Sequence, residues 1–141
     1  MNMFKMTRMI HDTLKRDGKL KVFTVDGESS SAVWVQFMAG NADLHKIYFI
    51  SQSDNNDVTV RIPRLACVAR SRVADVLPVL NQLNREKRFL KFALDKGGYI
   101  TVTYDCLESC ADTVSNALEI MCLMVDIVND AYPQIMSVLS D

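Results

Sequence analysis

Four cysteines, two histidines and two aspartates four residues apart are the side chains of this 141-residue chain best suited to chemistry. Cys106 and Cys110 are separated by three residues, which is not the C-x-x-C spacing of a redox pair. With only His11 and His45 elsewhere, they do not complete a familiar zinc set either. Cys67 and Cys122 lie in apolar sequence, where cysteine behaves as a small hydrophobe, so reduced thiols are expected throughout. Cys110 falls at the first turn of a predicted helix, a place that favours thiolates, but no histidine or resolving thiol stands at a useful spacing. Asp126 and Asp130 share a helical face with Glu119, yet nothing supplies the desolvation or opposite charge that acid–base work needs, and a solvated face is expected. His11 and His45 read as isolated surface residues. Phosphate loops, dinucleotide fingerprints, nucleophile elbows and metalloprotease helices are absent, and Gly97-Gly98 is a hairpin turn. The expectation is a chain that is not an enzyme, with no catalytic residue, no metal and no cofactor.

The elements that would position any site are legible in the periodicities. Hydrophobic residues at 49% and charged residues at 23%, with five Gly and three Pro, match one globular domain over residues 1–141. No apolar run approaches the roughly 20 residues of a membrane span, and the N-terminus mixes charge with apolar residues, so a cytoplasmic protein is expected. Met3, Met6, Ile10 and Leu14, with Phe4 and Met9 beside them, recur at helical spacing before a stop at Gly18. KLKVFTVD, SAVWVQFM, HKIYFISQ and DVTVRI follow as β-branched and aromatic runs divided by turn residues. Ser71 is expected to cap a second helix that kinks or restarts at Pro78, and FLKFALD and YITVTYD to form a hairpin. Ser109 and Asp112 mark the start of a long helix to about Ala131, restarting or kinking at Pro133. The fold class is α+β: an antiparallel sheet with helices packed on one face, in the order helix, three or four strands, helix, two strands, helix.

Charge and the last helix carry the functional expectation. The net charge of −1 conceals a basic middle, with nine Lys or Arg against three acidic residues in 61–96, and a tail from residue 97 with seven acidic residues and no basic one. Nucleic-acid binders interleave such cations with aromatics or a recognition motif; neither is apparent along the sequence, so the charges are expected to meet within the fold or across a dimer. In the last helix Val114, Leu118, Met121, Val125, Val128, Tyr132, Ile135 and Leu139 form a heptad seam, flanked by Ala117, Ile120, Met124, Ile127 and Ala131. Together the stripes span about 180° of the helix, against roughly 100° for a single core contact, which leaves apolar surface for a partner.

The stretch from Ser71 to Met136 resembles the YbjN-like family of bacterial sensory transduction regulators. The similarity rests on NQLN at Asn81 to Asn84, read as a turn, a strand beginning at Phe89, the Gly97-Gly98 hairpin and the Tyr132-Pro133 pair. It covers about half of the chain, and Pro78 and the Cys- and Met-rich tail depart from the pattern. The resemblance implies a type III secretion chaperone-like fold, that of dimers holding extended client polypeptide, with no catalytic residues to carry over. The expected function is a non-enzymatic protein-interaction module of chaperone or adaptor type, dimeric, binding extended or amphipathic protein or peptide segments, with no nucleic acid and no membrane. Met3, Phe4, Met6, Met121, Met124, Val125 and Val128 are the expected partner-binding residues. The alternative is a small-molecule or stress-responsive regulator with a ligand pocket between helix and sheet.

Overall fold

The computed structural model describes residues 3–40, 43–106 and 112–139. Helix α1 (Lys5–Asp17) buries Met6, Thr7, Ile10 and Leu14, and ends where Gly18 turns left-handed and donates its N–H to the Leu14 carbonyl. Four strands follow: β1 (Phe23–Asp26), β2 (Ser31–Ala39), β3 (Asp43–Ser51) and β4 (Thr59–Cys67). Helix α2 (Val73–Glu86), the hairpin strands β5 (Lys91–Leu94) and β6 (Tyr99–Asp105), and helix α3 (Thr113–Leu139) complete the α+β order. The six strands form one sheet in the order β1-β2-β3-β4-β6-β5, antiparallel at every pairing. Period-two alternation places Val33, Val35, Ile47, Phe49, Val60, Ile62, Phe92, Ile100 and Val102 on the face that the helices cover. Among the described residues the opposite face carries no helix.

Several local expectations are corrected. Pro78 and Pro133 lie inside continuous helices, so neither α2 nor α3 restarts at its proline and α3 does not stop at Ala131. Burial against the sheet outweighs one lost backbone hydrogen bond in each case. Ser71 belongs to a short 3₁₀ turn and caps nothing, while Ser109 lies outside the described residues. Asn81 to Asn84 is helix rather than turn. Asn84 faces β5, donating to the Phe92 carbonyl at 2.8 Å and accepting from the Phe92 N–H at 2.6 Å, so the helix closes part of that sheet edge. The strand expected from Phe89 begins at Lys91, because Phe89 itself adopts a left-handed backbone with φ of 78°.

The core stripe of α3 is Ala117, Ile120, Met124, Val128, Ala131 and Ile135. It takes Ala117, Ile120, Met124 and Ala131 from the flanking stripe and Val128 and Ile135 from the heptad seam, because α3 lies flat on a sheet and needs no 3.5-residue period. Leu118, Met121 and Val125 of the seam become a half-buried shoulder.

Candidate functional site

Among the expected partner residues the structure separates surface from core. Met6, Met124 and Val128 are buried in the chain's own core, which corrects their placement on a partner surface. Met3 and Phe4 are half-buried at the start of α1, where the Phe4 N–H donates to Ser31 Oγ at 3.1 Å. Only Met121 and Val125 meet in a common recess. With Leu20, Val35, Phe37 and Ile47 they line a cavity of about 320 Å³ between α3 and β2, with Asp126 at its rim. Its walls are overwhelmingly apolar, the chemistry that takes an aliphatic or aromatic side chain.

Beside this cavity the sheet has a free edge. β2 spans nine residues, but its outer neighbour β1 has four and pairs only with Ser31 to Trp34. No described strand pairs the outer side of Val35 to Ala39, although the inner side pairs with β3 from Ile47 to Asp43. A strand edge of this kind presents unsatisfied N–H and C=O groups to a further strand. The far end of the sheet differs, since Asn84 already occupies β5.

A second opening lies within the sheet. β3 and β4 pair only through Tyr48 to Ile50 and Arg61 to Thr59. Beyond Ile62 the pairing of β4 with β6 shifts register before Ala66, and Pro63 offers no backbone N–H, so β3 and β4 fork apart. His45 bridges the fork. Far from being a surface residue, it is buried, with Nε2 2.8 Å from the Leu65 carbonyl and Nδ1 3.2 Å from the Asp43 carbonyl. Both ring nitrogens face carbonyl oxygens, which only accept, so any bond His45 makes here is one it donates. The Tyr132 hydroxyl donates to the Asp43 carboxylate, and its ring meets His45 edge-on at 5.6 Å. Burial, then the hydrogen bond and negative charge of Asp43, push the Tyr132 phenol up to about 12. On the helix side, a cavity of about 490 Å³ is lined by Asp43, His45, Leu65, Tyr132 and Met136 among others.

No protein-family model, curated protein or solved structure matches this chain. Cys67 and Cys122, expected among apolar neighbours, are exposed free thiols, Cys106 is buried, and Cys110 lies outside the described residues. Asp126 is solvated, while Asp130 pairs with Lys87 and joins the acidic tail to the basic middle. Among the described residues no group of three His, Cys, Asp or Glu side chains is placed to hold a metal, and no helix is long and apolar enough to cross a membrane.

Reading along the chain missed the aromatic and cationic side chains of the open sheet face. Phe23, Trp34, Tyr48, Arg61, Thr103 and Lys91 stand in one row across all six strands. Phe23 and Trp34 stack at 4.0 Å, and Lys46 lies 4.4 Å above the Trp34 ring. Strand parity carried a signal, because Trp34, Lys46 and Tyr48 occupy even positions opposite the buried odd ones. Their adjacency depended on register.

Proposed function

We propose that this protein is a non-enzymatic adaptor of chaperone type that holds an extended client segment against the outer edge of β2. The single observation that carries the reading is the unpaired stretch Val35 to Ala39 next to the apolar cavity of Met121 and Val125. A client strand gains backbone hydrogen bonds from the edge and sends alternate side chains into the cavity, which is the chemistry of strand addition. α3 contributes Glu119, Asp126 and Asp130 and no basic residue, so the client favoured by charge pairs an apolar anchor with flanking lysine or arginine. The resemblance to chaperone-like regulators points the same way. Homodimerisation belongs to the proposal through this same edge, two copies pairing about a two-fold axis in competition with client.

Fluorescence anisotropy with labelled peptides of alternating apolar and polar residues and a lysine flank tests the reading. Saturable binding is expected, weakened about tenfold or more by Val125→Asp with the circular dichroism spectrum unchanged. Absence of binding, or equal binding by the folded Val125→Asp variant, would overturn it.

A further inference from the structure

The fork between β3 and β4 opens on the uncovered face as a second cavity, of about 510 Å³, lined by Leu44, His45, Lys46, Tyr48, Pro63 and Arg64. Its two walls belong to different strands, and each brings a cation: Lys46 from β3 and Arg64 from β4. Among the described residues no carboxylate lines it, although Arg64 also lines the neighbouring cavity that holds Asp43. Among the described residues neither cation has an acidic partner; each is held by an aromatic ring instead. The Lys46 ammonium lies 4.4 Å from the Trp34 ring, and the Arg64 guanidinium 4.8 Å from the Tyr99 ring. Aromatic contacts of this kind position a cation without neutralising it. Directly across the ladder from Tyr48 stands Arg61, whose buried Nε has no hydrogen-bond acceptor among the described residues. Two cations therefore line a cleft whose remaining walls are Leu44, His45, Tyr48 and Pro63, and a third, Arg61, stands beside it across the ladder from Tyr48.

We propose that this cleft is a binding site for a small organic anion: a carboxylate or phosphate carried on a flat apolar body. The anionic group bridges Lys46 and Arg64, and the apolar body lies against Leu44, Tyr48 and Pro63. A guanidinium fork suits the planar or tetrahedral oxyanion, and the ammonium supplies the second charge. The separation of the strands creates the room, because an ordinary ladder would hold β3 and β4 within about 5 Å of each other. The site is independent of the peptide edge on β2.

Trp34 is the only tryptophan of the chain and touches Lys46, so its fluorescence reports on the cleft. Benzoate and phenyl phosphate are titrated as the carboxylate and phosphate probes, with benzyl alcohol as the uncharged control and calorimetry as a second readout. Saturable binding of at least one anion is expected, falling with added salt, with no saturation by benzyl alcohol. Arg64→Gln and Lys46→Gln should each weaken binding about tenfold with the melting temperature unchanged, while Arg64→Lys recovers part of the loss. Val125→Asp should leave anion affinity as it is, which separates this site from the adaptor reading. No saturable response to either anion, an equal response to benzyl alcohol, or unchanged affinity in folded Arg64→Gln would overturn the proposal. Tighter uptake of single-stranded oligothymidylate than of phenyl phosphate would also overturn it, by assigning the cations to a polymer.

Discussion

The sheet is interrupted in two places, and the interruptions differ in cause and in chemistry. Along the outer side of β2 the ladder stops because β1 is four residues long, and the side chains around the gap are Leu20, Phe37, Met121 and Val125. Between β3 and β4 it stops because β4 shifts register near Pro63, and the gap is held by a buried histidine and flanked by Lys46 and Arg64. The side chains around each gap decide what it can receive. The first suits a strand with an apolar anchor, the second an anion that needs no strand.

The shoulder of α3 and its core should respond most differently to a buried charge. Val128→Asp places an unpaired carboxylate among fully buried neighbours and is expected to cost more than about 4 kcal/mol, unfolding the domain, whereas Val125→Asp should cost about 1 kcal/mol or less. Urea titrations followed by circular dichroism check the pair; similar losses would mean that the shoulder is core as well. Met124→Ala should remove about 2–4 kcal/mol by leaving a cavity, and the half-buried Met121→Ala under about 1 kcal/mol, in the same measurement.

At the fork, His45→Ala removes the bridge to the Leu65 carbonyl and leaves a void, for an expected loss of about 2–3 kcal/mol. Faster exchange of amide protons in β3 and β4 than in β2 would show that the loss is local.

Tyr132 sharpens the comparison through pH. The folded phenol keeps its proton to about 12, whereas the unfolded one releases it near 10. Between those values the unfolded state binds fewer protons, so the stabilising contribution is full below pH 10 and is lost as pH rises toward 12. Tyr132→Phe should cost about 1 kcal/mol at neutral pH and remove this part of the alkaline fall, as followed by denaturant midpoints across pH.

The smallest effect lies away from both gaps. Phe89 is 64% exposed with a left-handed backbone, so Phe89→Asn should stabilise the fold by about 0.5–1 kcal/mol, read as a rise in melting temperature.

The amino-acid sequence by itself determined the class and order of elements, the stop at Gly18, the hairpin at Gly97-Gly98 and the alternation that faces Val60 and Ile62 inward. These depend on neighbours within a few residues, where backbone preference and periodicity act directly. It also marked Met121 and Val125, although Met6, Met124 and Val128 came with them, because apolar type alone does not say which apolar positions of a helix meet the sheet. Only the tertiary structure decided that Asn84 seals one sheet end while β2 stays open, that His45 is buried, and that Lys46 and Arg64 face each other across a cleft. Those facts rest on strand length, register and the shift near Pro63, which bring together residues from 8 positions apart, as Asn84 and Phe92 are, to 20, as His45 and Leu65 are, and no local propensity encodes such pairings.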